Sequence, residues 1–210
     1  FYLCGIAQAG ELAGHRKYVE AWAAGYGAPI GYVGRYSDRI ADPRRLVEGA
    51  RSVIVCAVNY KNNAWEQSQR SVSPRIASYA WSRDYHTIIK EMLRQVLAGL
   101  QGHYPGVTGR CFVDTAPLLE KQWAIEAGLG RRGRNSLLIT PQFGSFVFLG
   151  EIVLDAVSDR YDSQLEGDPC GECTLCIDTC PAGALVPPAL VDARRCISRL
   201  TVEKLGEDEE

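Results

Sequence analysis

No run of about 18 consecutive apolar residues occurs in this sequence, so it offers no helix able to span a bilayer. No signal peptide is read at its start. Charge of one sign is not in excess: 23 Lys and Arg stand against 25 Asp and Glu, a net −2. The whole-chain charge therefore argues for neither a nucleic-acid nor a membrane partner. There is no internal repeat and no low-complexity tract. Histidine is scarce, at three residues, and no Ser/His/Asp or Cys/His pairing stands out for nucleophilic catalysis. What remains is a chain of 210 residues, 46% hydrophobic and 23% charged. That suits one main globular domain with a small appendage, and it is long enough to bury a substantial core.

Cysteine is the exception to this plain composition. There are eight, and Cys170, Cys173, Cys176, Cys180 and Cys196 crowd into one short stretch. A secreted disulfide framework would spread its cysteines through a small, loop-rich chain. Bunching favours metal binding in a reducing cytoplasm. Cys4, Cys56 and Cys111 sit alone in apolar surroundings and read as buried, inert thiols.

The periodicities give an ordered set of elements. Residues 1–7 read as a strand and 11–26 as an amphipathic helix ending near Gly25. A Gly/Pro-rich loop is read over 27–34. Asp42-Pro43 reads as a cap followed by a first-turn proline. Residues 51–59 form a continuous apolar run, the mark of a buried strand. Residues 61–74 read as loop. Ile88, Ile89, Met92, Leu93, Val96, Leu97 and Leu100 have helical spacing within 85–100. A short strand over 110–113 leads to Asp114, a helix is read over 117–127, and two further strands over 137–140 and 146–154. The fold class is α+β, or mixed α/β. It occupies residues 1–160 and is followed by a cysteine-rich module over 161–210, with the polar stretch 158–169 as linker.

The module carries Cys170-Gly171-Glu172-Cys173-Thr174-Leu175-Cys176-Ile177-Asp178-Thr179-Cys180-Pro181. This is C-x2-C-x2-C-x3-C-P, the bacterial ferredoxin spacing for 4Fe–4S clusters. A zinc site more often has two cysteine pairs and a longer spacer. In two-cluster modules the fourth cysteine serves the other cluster. Cys170, Cys173 and Cys176 would then hold one cluster, with Cys180 and Cys196 given to a second. Two clusters need eight thiolates. The three still missing are expected beyond Glu210, as a fragment or a natural short form. The start at Phe1 rather than Met likewise reads as a cut end.

Other chemistry is less specific. Asp114, in Val113-Asp114-Thr115-Ala116-Pro117, reads from spacing alone as a helix cap rather than a functional acid. If functional, partial burial would tune it to donate a proton near neutrality. His15, His86 and His103 read as structural. Gly128-Leu129-Gly130-Arg131-Arg132-Gly133 fits G-x-G-x-x-G but follows a helix, a weak dinucleotide fingerprint. Close approach of its backbone to some other flat ligand is the better use of those glycines. Arg131, Arg132 and Arg134 form one local basic group, and Arg194, Arg195 and Arg199 another.

Several segments resemble the epoxyqueuosine reductase family. They are Ala41-Asp42-Pro43-Arg44-Arg45-Leu46, Ala77-Ser78-Tyr79-Ala80-Trp81-Ser82-Arg83-Asp84-Tyr85-His86, Val113-Asp114-Thr115-Ala116-Pro117-Leu118-Leu119-Glu120 with Ala127-Gly128-Leu129-Gly130, and the run from Arg194 through Cys196 to Glu203. The resemblance implies a nitroreductase-like cobalamin-binding domain followed by a ferredoxin-like 4Fe–4S module. It implies reduction of epoxyqueuosine to queuosine at the tRNA wobble position by cob(II)alamin, fed with electrons from two clusters. The partners it implies are a tRNA anticodon stem-loop carrying epoxyqueuosine and a donor such as flavodoxin or ferredoxin, with a cytoplasmic monomer and no membrane. Asp114 becomes the proton donor, reversing the cap reading. Arg35, Ala77, Asp114, Asn135, Leu138, Leu149 and Ser198 become candidate corrin contacts. The Asp-x-His-x-x-Gly motif is absent, so a base-off cofactor without a histidine ligand is implied. The sequence departs from the family at 130–135, where arginines replace the usual Trp-Ile and Lys. The second cysteine motif and the helical-repeat tail are also missing. The competing readings are a corrinoid reductive dehalogenase and a plain electron-transfer iron–sulfur protein.

Overall fold

The computed structural model describes residues 1–61 and 77–202. The loop expected over 61–74 therefore falls, beyond Lys61, outside the described residues. The core is an antiparallel sheet of four strands: β1 (Leu3–Gln8), β2 (Ser52–Asn59), β3 (Gly109–Phe112) and β6 (Val147–Leu154), in the order β1-β2-β6-β3. Every pairing in it is antiparallel, so the class is α+β. Two short strands, β4 (Arg131–Arg132) and β5 (Leu138–Ile139), pair with each other outside this sheet. The strand expected over 137–140 is that small ribbon.

β2 shows why the sheet is sandwiched. Its residues alternate between faces, yet Ser52 to Ala57 are all buried. Val53, Val55 and Ala57 pack with Trp123 and Ala124 on one face. Ile54 and Cys56 pack with Ile89 and Leu93 on the other. The first layer comes from α5 (Glu120–Glu126) and the second from α4 (Tyr85–His103). Gly150 in β6 lets α4 approach closely: a Cβ there would lie 2.8 Å from Ile89 and 2.9 Å from Leu93.

The helices α1 (Ala13–Ala24), α2 (Gly31–Arg35) and α3 (Ser37–Ile40) cover one end. Part of the stretch expected as a Gly/Pro loop is thus α2. Asp42 caps a single turn over Pro43–Arg45, accepting from the Arg44 N–H at 3.1 Å and from its guanidinium at 2.8 Å. The same device recurs at Asp192 and Arg194, again at 3.1 and 2.8 Å.

The cysteine-rich segment contains α6 (Leu175–Asp178), the ribbon β7 (Leu185–Val186) with β8 (Leu190–Val191), and α7 (Ile197–Thr201). It docks through Trp22 Nε1 to the Val191 carbonyl at 2.7 Å and the Ala193 N–H to the Tyr26 carbonyl at 2.9 Å. No helix among the described residues is long and apolar enough to cross a membrane.

The three isolated cysteines are not uniformly buried. Cys4 is exposed and Cys56 buried. They are cross-strand partners with sulfurs 3.8 Å apart. The Cys56 hydrogen bond draws the Cys4 thiol down to about 7. β1 is an edge strand, so its alternation exposes one set of side chains.

Candidate active site and cysteine loop

Asp114 follows the end of β3 and is not a helix cap. The α5 helix begins only at Glu120, and Leu119 occupies its N-cap. Asp114 has φ 51°, and the Thr115 N–H reaches the Val113 carbonyl at 2.6 Å. Such a three-residue turn with positive φ is rare and strained. Strain of this kind concentrates at functional sites. Ser136, with φ 64°, is the other described non-glycine residue of positive φ.

The Asp114 carboxylate is gripped from α4. Tyr85 Oη donates to its Oδ2 at 3.0 Å, and His86 Nε2 lies 3.0 Å from the same oxygen. His86 Nδ1 lies 2.7 Å from Asp84 Oδ1. The result is a row, Asp84–His86–Asp114, with Tyr85 beside it. Burial works against the imidazolium, but the hydrogen bonds to Asp114 and Asp84 outweigh it and hold His86 above its usual pKa. Burial, then the Asp114 bond, pushes Tyr85 up and keeps its proton in place. The Tyr85 ring stacks on His86 at 4.0 Å and on Phe148 at 4.1 Å. The Asp114 side chain is 55% exposed. The sequence reads His86 as structural and singles out no role for Tyr85, yet both side chains meet Asp114. The run Asp84-Tyr85-His86 was a signal, but their meeting with Asp114 depends on tertiary structure.

Two cavities meet at Asp114, Glu120 and Lys121. The larger, about 940 Å³, is walled by Tyr18, Trp22, Tyr32, Tyr36 and Arg132 among others. The smaller, about 170 Å³, is lined by Tyr85, Leu138, Val147, Phe148 and Leu149. Of the proposed corrin contacts, Asp114 lines both, and Leu138 and Leu149 line the smaller. Arg35 lies in α2, next to cavity-lining Tyr36. Asn135 turns onto its own backbone, accepting from the Leu137 N–H at 3.1 Å. Ala77 precedes the Ser78–Trp81 turn, and Ser198 lies in α7. Arg35, Ala77, Asn135 and Ser198 line neither cavity.

The glycine run has a different use from the expected one. A Cβ on Gly130 would lie 2.5 Å from the Ile139 carbonyl oxygen, and one on Gly128, at φ 72°, 2.7 Å from that of Ser163. These glycines admit the chain's own backbone, not a ligand's. Arg131 donates to the Leu165 carbonyl, and Arg132 to Gln122 at 3.2 Å. Arg134 clamps the cysteine loop: its guanidinium reaches the Gly171 and Cys173 carbonyls at 2.7 and 2.9 Å.

Two of the loop sulfurs accept backbone hydrogen bonds. The Arg134 N–H donates to Cys170 Sγ at 3.4 Å, and the Ala184 N–H to Cys180 Sγ at 3.3 Å. Backbone donors, Ala184 first, draw the Cys180 thiol down. Among the described residues no three His, Cys, Asp or Glu are gathered to hold a single metal ion.

Comparison with known proteins adds a family context. A family model described as "Epoxyqueuosine reductase QueG, DUF1730" matches residues 41–115, and a "4Fe-4S double cluster binding domain" matches 169–210. An epoxyqueuosine reductase of Cyclobacterium marinum is 42% identical over 205 residues, 97% of this chain and 65% of the relative. One from a Synechocystis strain is 37% identical over 97% of this chain and 70% of the relative. Among solved structures, the Streptococcus thermophilus epoxyqueuosine reductase superposes with TM-score 0.83 at 25% identity, over 94% of this chain and 53% of that one. An epoxyqueuosine reductase with an epoxyqueuosine-modified tRNA-Tyr stem loop gives 0.79 at 28%, over 95% and 53%. A catabolic reductive dehalogenase gives 0.60 at 15% identity, a likeness of fold. The chain thus spans about two thirds of the first relative's length.

Proposed function

Because the chain belongs to the epoxyqueuosine reductase family, we propose that it reduces epoxyqueuosine to queuosine at the wobble position of tRNA in the cytoplasm, with Asp114 as proton donor. The observation that carries this reading is the junction of the two cavities: a strained, half-exposed carboxylate held there by Tyr85 and His86. Residues 1–160 form the catalytic unit and 161–210 the electron-entry module.

The residues present fit the groups this reaction needs. Cys170, Cys173 and Cys176 hold one 4Fe–4S cluster, and Cys180 and Cys196 serve a second. Backbone N–H groups point at the Cys170 and Cys180 sulfurs, and cysteine thiolates are the ligands such clusters take. The larger cavity lies near the upper end of ordinary ligand-pocket volumes, with aromatic walls suited to a flat macrocycle. A bound cobalamin would supply the reducing chemistry, through cobalt(I) formed from cobalt(II) with single electrons that would come from the clusters and a flavodoxin or ferredoxin.

The chain's own residues manage the protons. Removing the epoxide oxygen as water takes two electrons and two protons. Tyr85 and His86 both engage Oδ2 of Asp114, and Oδ1 has no partner among the described residues. Oδ1 is thus the oxygen that presents the proton to substrate. His86, with a side chain 37% exposed, recharges from solvent and passes protons along the Asp84–His86–Asp114 row. Both protons leave by way of Asp114. A Bacillus subtilis relative has been solved with its Asp catalytic loop swung out of the active site.

Protein reconstituted without oxygen is expected to show the base-off signal of bound cob(II)alamin. It is also expected to convert an epoxyqueuosine-bearing anticodon stem-loop to the queuosine form. Intact clusters without corrinoid binding or turnover would leave a plain electron-transfer protein.

A further inference from the structure

The Asp114 loop is tied down from behind. Its backbone N–H donates to a carboxylate oxygen of Glu120, the first residue of α5. A non-glycine residue at φ 51° is strained, so the surroundings must hold this turn. Tyr85 and His86 hold the Asp114 side chain; Glu120 holds its main chain.

A second buried carboxyl lies behind Glu120. Glu151 lies in β6 between Leu149 and Val153, and strand alternation places its side chain in the layer occupied by α5. It is 0% exposed, and neither carboxyl oxygen has a hydrogen-bond partner. Burial, with the charges of Glu120 and Asp114, pushes its pKa well above the usual carboxylate range. Of neighbouring carboxyls, the one cut off from solvent is the one that stays neutral. Glu120 has an N–H donor and Glu151 has none, so Glu151 keeps its proton and Glu120 carries the charge. A hydrogen bond to a charged acceptor is roughly twice as strong as a neutral one.

We propose that Glu120 is a positioning residue: its carboxylate latches the Asp114 backbone with the acid turned into the cavity, and it loosens the loop on taking up a proton. The proposal rests on the reading of Asp114 as the acid. The groups facing Glu120 are Asp114 on the loop, Lys121 on its own helix, Tyr85 and His86 on α4, and Glu151 on β6. Burial pushes Glu120 up to about 7, with the charge of Asp114 adding. The Asp114 N–H, Lys121 and His86 oppose the shift. The latch is therefore strong above neutral pH and weakens below it.

Hydrogen exchange of the 113–119 peptide in the full chain reads the latch without reference to turnover. Glu120→Ala is expected to speed that exchange about 10-fold and to lower kcat about 100-fold with little change in KM, as a misplaced acid does. Glu120→Gln keeps an acceptor oxygen without the charge. It should fall between, and should abolish the wild-type step in loop exchange near pH 7. Unchanged exchange over 52–59 establishes that the fold is intact; if the alanine variant does not fold, the glutamine variant decides. Loop exchange as slow as wild type, with the pH step retained in Glu120→Gln, overturns the proposal. Faster loop exchange with undiminished turnover upholds the latch and removes Asp114 as the acid.

Discussion

The α/β unit and the cysteine-rich module are held together by different physics. In the first, the sheet buries apolar side chains on both faces, and Trp123, Ile89, Leu93 and Ile152 are almost fully enclosed. In the second, Ala184 and Ala193 are the buried apolar residues among those described. Order there comes from short turns, the Asp192–Arg194 cap and the Arg134 clamp. A segment with so little core gains its stability from elsewhere, and for a cysteine loop that means bound metal. Layering by the hydrophobic effect fixes the surroundings of Asp114; ligation would fix the cysteine loop.

The largest expected effect breaks this contrast open. Cys173→Ala should lower bound iron, abolish turnover and speed hydrogen exchange across 169–202, while exchange in β2 stays at its wild-type rate. Equal loosening of both regions would contradict the division. His86→Asn comes next. It removes one of the two groups on Asp114 Oδ2, and kcat should fall about 100-fold with iron content unchanged. The smallest effect is on stability. The native Glu151 retains a proton that the unfolded chain releases above its ordinary value of 4.5. The native state then binds more protons, so wild-type stability falls as pH rises beyond that point. Glu151→Gln does not titrate. Its advantage in unfolding free energy should be small at pH 4 and grow by about 1.4 kcal/mol per pH unit above 4.5 until native Glu151 ionises. A gain independent of pH would show that Glu151 is not the proton-bearing group.

How much was legible in the sequence follows from how local each feature is. The ferredoxin spacing lies within twelve consecutive residues, so the ligand loop could be read directly. The apolar runs at 51–59 and 146–154 became β2 and β6 with small shifts at their ends. The surroundings of Asp114 could not be read this way. Asp84, Tyr85 and His86 start α4, Asp114 follows β3, Glu120 starts α5, and Glu151 lies in β6. They converge because β6, not β2, is the neighbour of β3, a non-local pairing that periodicity does not reveal. Spacing alone made Asp114 a cap, and only the family resemblance made it an acid. Glu151 lay hidden in an apolar strand, and the glycines of 128–133 served packing against the chain itself.

The most direct measurement is turnover of an epoxyqueuosine-bearing stem-loop by Asp114→Asn, prepared alongside wild type with matched iron and corrinoid content. Asparagine keeps the shape of the side chain but has no carboxyl proton to give. The account predicts normal cofactor loading and reduction, with queuosine formation slowed at least about 100-fold. Wild-type turnover by Asp114→Asn would contradict it.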